Sequence, residues 1–143
     1  MGNRLGPIII IEDDLDDQDL LVEVLQDLKV PNELKCFSNA PDAYAYLETT
    51  TDKPFLIFSD INMPLMSGAD LKRKINETTL IRRKSIPFVF LTTTSAHEAI
   101  LDAYESLAQG FFTKPDSMES LRHMIEMILS YWKISQHPDP NLT

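Results

Sequence analysis

Five short apolar runs recur along the chain, most of them introduced by a proline: "PIIII" (7–11), "ELKCF" (33–37), "PFLIF" (54–58), "PFVFL" (87–91) and "GFFT" (110–113). Consecutive Ile, Val and Phe, rather than an apolar–polar alternation, mark strands covered on both faces, which is the pattern of a parallel sheet. Parallel neighbours need long crossovers, and segments of helical period lie between the runs. Leu21, Leu25 and Leu28 follow the candidate caps Asp16 and Asp17. Leu121, Met124, Ile125, Ile128, Leu129 and Trp132 form a stripe on one helical face. Weaker periods appear at Ala43, Tyr44 and Leu47, at Leu71 and Ile75, and at Ala99, Ile100, Ala103 and Tyr104. Five strands alternating with five helices predict a (βα)5 unit, an α/β, doubly wound five-stranded parallel sheet with right-handed crossovers.

The 143 residues suit one domain, burying roughly 68–70% of its unfolded surface. The expected division is an N-terminal lead over 1–7, the domain over 8–133 and a loose tail over 134–143 containing "SQHPDPNLT". With 13 Lys and Arg against 22 Asp and Glu, the net charge is −9, which repels phosphate backbones and anionic membrane faces. Neither nucleic acid nor membrane is an expected partner. The apolar part of "MGNRLGPIIII" is too short for a signal peptide and no run approaches a bilayer span, so a cytoplasmic location is expected. The lone Cys36 excludes an internal disulfide, suits a reducing compartment and reads as a small buried hydrophobe in a strand. His97, His123 and His137 have no ligand spacing and read as surface groups.

In an open parallel sheet the crevice lies at the carboxyl ends of the strands, and acids converge there. The first run ends at Glu12, Asp13 and Asp14, the third at Asp60, the fourth at Thr92 and Thr93, and the fifth at Lys114. Each alone has an ordinary role: Asp14 or Asp60 capping a helix, Thr92 satisfying a strand-end amide, Lys114 solvated. Together they do not, because close carboxylates at a shared rim repel by about 4 kcal/mol per pair at an effective dielectric near 20. A hard divalent cation relieves that repulsion, and Mg2+ combines one or two carboxylates with a phosphate. A lysine opposite the metal and a threonine hydroxyl complete a site for a phosphoryl group.

The segments "IIIIEDD", "LIFSDINMPLMSG", "FVFLTTT" and "GFFTKP", in that order across about residues 8–133, resemble the signature segments of the receiver domain of two-component response regulators. The resemblance implies a flavodoxin-like receiver fold with Asp60 as phosphoacceptor. It implies Glu12 and Asp13 as the acidic pair and Asn62 as a Mg2+ ligand through its backbone carbonyl. Thr92 would contact the phosphoryl group, Lys114 would pair with it, and the bond before Pro115 would be cis. Thr92 and Phe111 stand where the family couples phosphorylation to the face made by the last two helices and the last strand; the family often has Tyr where Phe111 stands. Asn62 and Thr94 flank the path of the hydrolytic water and would tune hydrolysis. The implied function is phosphoryl acceptance from a phosphohistidine of a sensor histidine kinase or histidine phosphotransfer protein, with intrinsic autophosphorylation and autodephosphorylation chemistry rather than enzymatic turnover. With no helix-turn-helix pattern or basic helix after the last strand, a stand-alone receiver acting on a downstream protein target is expected. The stretch "MIEMILSYWKIS", with Tyr131 and Trp132, reads either as core or as a partner surface, including a homodimer through the C-terminal region.

Two other readings compete. Haloacid-dehalogenase-like phosphatases also use an aspartate nucleophile, Thr, Lys and Mg2+ on an α/β sheet. They require a second Asp two residues after the nucleophile, where this chain has Asn62, and they place the nucleophile on the first strand. A receiver fold that only docks partners has no use for the acid cluster, which such a scaffold would lose to its benefit.

Overall fold

The structure is a computed structural model describing residues 5–138; the ends of the expected lead and tail, 1–4 and 139–143, lie outside the described residues. The elements run β1 Ile8–Ile11, α1 Leu15–Asp27, β2 Leu34–Phe37, α2 Ala40–Thr49, β3 Leu56–Ser59, α3 Gly68–Glu77, α4 Thr79–Arg82, β4 Phe88–Thr92, α5 His97–Glu105, β5 Gly110–Thr113 and α6 Met118–Ile134. The sheet has the order β2-β1-β3-β4-β5, and all four pairings are parallel. This is the doubly wound architecture that the apolar runs predict.

Alternate side chains leave opposite faces of a strand, so each apolar run feeds two cores. Ile8, Ile10, Leu56, Phe58, Val89 and Leu91 meet α1 and α6 through Leu25, Ile125 and Leu129. Ile9, Ile11, Ile57, Phe88 and Phe90 meet Ala43, Leu47, Leu71, Ile75 and Ala103 from the helices of the other face. Burying each such Ile, Leu or Phe contributes about 1.5–3 kcal/mol. The α6 stripe is therefore core: Leu121, Ile125, Ile128 and Leu129 are buried, while Met124 and Trp132 pack partly exposed against them.

Burial on both faces holds for β1, β3 and β4 but not for the edge strands. Every residue of β2 and β5 retains some exposure, because only one side of an edge strand is paired and the helices cover it incompletely. Cys36 is the clearest correction: it lies on β2 and is exposed. Partial burial, followed by the charge of Asp19, still pushes its thiol pKa up, away from reactivity.

A sixth helix is the second difference. Thr78 adopts an extended backbone after α3, and its carbonyl then accepts from Ile81 N and Arg82 N to start α4. Its hydroxyl donates back to Lys74 O at 2.7 Å, ending the first helix and introducing the second. The break shifts Ile81 out of the period of Leu71 and Ile75, so the sequence pattern stopped short of it. Among the described residues no helix is long and apolar enough to cross a membrane.

Candidate functional site

The chain crosses from β1 out to β2 and returns past β1 to β3, so β1 and β3 are neighbours whose outgoing loops diverge. Ile11 pairs with Ser59, which sets the residues after each strand, Glu12–Asp13 and Asp60, side by side. Asp60 N donates to Ile11 O at 2.9 Å and locks that register. One carboxylate oxygen from each of Glu12, Asp13 and Asp60 lies within 4.8 Å of the others. Glu12 is buried, Asp60 half-buried and Asp13 exposed, so the cluster opens to solvent on one side.

Three flanking groups hold Asp60 still. Its Oδ1 accepts from Ile61 N at 2.8 Å and from the buried Thr92 hydroxyl at 2.5 Å. Gly68, at the start of α3, lies directly beneath: a Cβ there would stand 2.2 Å from Asp60 O and 2.7 Å from the Phe90 ring. Glycine is therefore required by close approach to backbone, and Gly68 N also donates to Ile61 O at 2.8 Å.

Lys114 leaves β5 beside the acids; its backbone N–H donates to Thr92 O at 2.8 Å and anchors it to β4. Its ammonium contacts Glu12 Oε1 at 2.5 Å and Asp17 Oδ2 at 3.2 Å. Burial raises the Glu12 pKa from 4.5 to about 7; the Lys114 ammonium opposes that rise and the nearby Asp60 charge adds to it. For Lys114, burial lowers the pKa, but bonding to Glu12 and the charge of Asp17 outweigh it and hold the ammonium protonated.

Residues read from the sequence thus converge: Glu12, Asp13, Asp60, Thr92 and Lys114 share one rim. Asn62 is exposed two residues beyond Asp60. Thr94 is half-buried, and its hydroxyl accepts from Ala96 N at 3.2 Å in the loop before α5. Phe111 is half-buried on β5 with its ring 6.3 Å from that of Phe90. Among the described residues there is no cis peptide bond, so the bond before Pro115 is trans, against the expectation from the resemblance. His97 and His123 are exposed, but His137 is half-buried, with Nε2 2.7 Å from Trp132 O.

Two further residues, Asp17 and Gly68, belong to the rim. The helix cap is Asp14, whose Oδ1 accepts from Asp16 N at 3.0 Å and Asp17 N at 3.1 Å, and this frees the Asp17 side chain for Lys114. The signal for Asp17 was present, since it stands four residues before buried Leu21 on the inward stripe of α1. The signal for Gly68 was its place after the apolar run, but the contact that forbids a Cβ comes from the far end of the eight-residue loop 60–67 and leaves no local pattern.

All donors at the rim are oxygens, and the cluster carries three carboxylates against one ammonium, a set that fits a hard divalent cation. The family model described as "Response regulator receiver domain" matches residues 8–126. Response regulator Rcp1 of Synechocystis sp. is 28% identical over 130 residues, spanning 87% of each chain. The solved structure of the phosphorylated cyanobacterial phytochrome response regulator RcpA superposes with a TM-score of 0.83 at 26% identity, covering 94% of this chain and 99% of that one. The Mn(2+)-bound form of Rcp1 superposes with a TM-score of 0.80 at 27% identity, covering 94% and 99%.

Proposed function

The chain belongs to the response regulator receiver family, and from that premise we propose that Asp60 accepts a phosphoryl group from the phosphohistidine of a sensor histidine kinase or histidine phosphotransfer protein. The observation that carries this reading is the cluster of Glu12, Asp13 and Asp60 within 4.8 Å, flanked by Thr92 on Asp60 and by Lys114 on Glu12. A haloacid-dehalogenase-like phosphatase has no support in this family, and a pure docking module leaves the cluster unexplained.

A carboxylate oxygen of Asp60 forms a bond to phosphorus as the P–N bond of phosphohistidine breaks, and the departing imidazole takes a proton from solvent. The transition state is loose and needs little proton transfer, which suits a rim without histidine. Lys114 exchanges part of its contact with Glu12 and Asp17 for a phosphoryl oxygen. Thr92, whose hydroxyl donates to Asp60 Oδ1, turns to donate to the phosphoryl group. Glu12, Asp13, Asp60 and the Asn62 backbone carbonyl are the residues that would hold Mg2+. When bound, the cation supplies positive charge to the phosphoryl oxygens and relieves the crowded carboxylates. The Mn(2+)-bound form of Rcp1 supports a divalent ion in a fold of this kind. Water then hydrolyses the acyl phosphate, with Asn62 and Thr94 setting its access.

Signalling runs through protein contacts. Movement of Thr92 and Phe111 alters the face formed by α5, β5 and α6, and a downstream protein reads it. A groove of about 830 Å3 between β5 and α6, lined in part by Phe112, Met124, Met127, Tyr131 and Trp132, supports a partner surface there, including a homodimer through the C-terminal region. The acidic charge and the lack of a spanning helix among the described residues agree with a cytoplasmic receiver domain over 8–133. Incubation with acetyl phosphate and Mg2+ followed by intact mass tests the reading. One phosphoryl group is expected, absent with chelator and in Asp60→Asn; unchanged uptake in Asp60→Asn overturns it.

A further inference from the structure

At the opposite end of the sheet from Asp60, where β4 and β5 begin, a cavity of about 610 Å3 lies between α3, α4 and the end of α6. That volume falls in the range of small-molecule sites, about 300–1,000 Å3. Its walls are mixed: Ile75, Ile81 and Trp132 are apolar, while Lys72 and Arg82 bring two cations. No Asp or Glu side chain lines it among the described residues, in a chain with 22 acids against 13 Lys and Arg. Nothing in the phosphoryl chemistry uses this cavity.

Lys72 is the unusual member. It occupies the buried face of α3 beside Leu71 and is only 7% exposed. Its ammonium donates to Asn76 Oδ1 at 2.5 Å, and among the described residues no carboxylate pairs with it. Asn76 cannot turn away, because its Nδ2 donates to Ser106 O at 2.9 Å and Ser106 is fully buried. The ammonium is thus held at the cavity wall by a neutral acceptor that fills one of its three donor positions. A buried cation without a counterion is costly, and an anion entering beside it offsets that cost. Burial correspondingly lowers the Lys72 pKa. Arg82 is exposed near the opening, where its Nη1 donates to Asn76 O at 3.3 Å, and it would attract an anion inward.

We propose that this cavity binds a small organic carboxylate whose apolar body lies against Ile75, Ile81 and Trp132 and whose carboxylate meets Lys72. One buried positive charge matches a monoanion, while a phosphate monoester would bring a second charge that the buried wall does not neutralise. A ligand here would touch α3, whose first residue, Gly68, supports Asp60, so binding would reach the phosphoryl rim through one helix.

The test uses benzoate, phenyl phosphate and benzyl alcohol with the full chain, read by NMR at the Asn76 side-chain amide and the backbone amides of Ser85 and Ile86. Saturable shifts with benzoate are expected, at least tenfold weaker binding with benzyl alcohol, and loss of that preference in Lys72→Met. Arg82→Gln, at an exposed position, provides a second variant, and a several-fold weaker benzoate affinity is expected. Four results overturn the proposal: no saturable benzoate shift, equal binding of the alcohol, tighter binding of phenyl phosphate, or shifts confined to Met124 and Met127 in the groove on the other side of Trp132.

Discussion

The two ends of the sheet solve opposite charge problems. At the carboxyl ends of β1 and β3, three carboxylates crowd together, and Lys114 bridges Glu12 and Asp17 as their built-in counterion. At the amino ends of β4 and β5, one ammonium is buried against an amide oxygen with no anion paired to it. The first end has excess negative charge; the second has excess positive charge beside a cavity of mixed walls. A receiver with net charge −9 thus carries a cationic wall at the end of the sheet away from its acid rim.

The sharpest way to separate the ends is Asp60→Asn, for which complete loss of phosphoryl uptake by intact mass is expected, with the far-UV circular dichroism of the fold retained. Next in size is Gly68→Ala. The added Cβ must displace Asp60 O, against which it would stand at 2.2 Å, so a loss of about 3 kcal/mol is expected in urea denaturation together with slowed phosphoryl uptake. At the other end, Lys72→Met replaces a buried unpaired charge with an apolar chain of similar length, and a gain of about 1 kcal/mol is expected from the same measurement. A destabilised variant would mean that the Lys72–Asn76 bond outweighs the cost of burial.

The acid rim also carries a pH signature. Glu12 has its folded pKa raised to about 7 from 4.5, so the folded state binds more protons than the unfolded chain between these values. Its share of stability is full below pH 4.5 and lost as pH rises through about 7. The Tm of the metal-free chain minus that of Glu12→Gln should therefore fall between pH 4.5 and 7, and a flat difference would remove burial as the dominant influence on Glu12. The smallest effect expected is for Cys36→Ser on the exposed edge strand, within about 0.5 kcal/mol.

What the sequence made legible follows from how local each signal is. The central strands announce themselves because burial on both faces leaves no polar position, as in "IIII" and "LIFS". The rim residues are legible because their chemistry is concentrated at strand ends that topology brings together. The edge strands are less legible, since "LKCF" has apolar content whether or not its outer side is covered, and Cys36 reads as buried for that reason although it is exposed. Asp17 reads as a helix cap because a carboxylate near a helix start has two uses, and only the position of Lys114, 97 residues away, decides between them. Lys72 does not stand out within "LKRKI", where three cations look alike until packing buries one of them.

The most direct measurement on the central claim is to identify the phosphorylated carboxylate. After acetyl phosphate and Mg2+ treatment, borohydride reduces an aspartyl phosphate to homoserine, and peptide sequencing by mass spectrometry locates it. Homoserine at position 60 alone is the expected result; a reduced residue at position 12 or 13, or none anywhere in a chain that has gained the phosphoryl mass, contradicts the account.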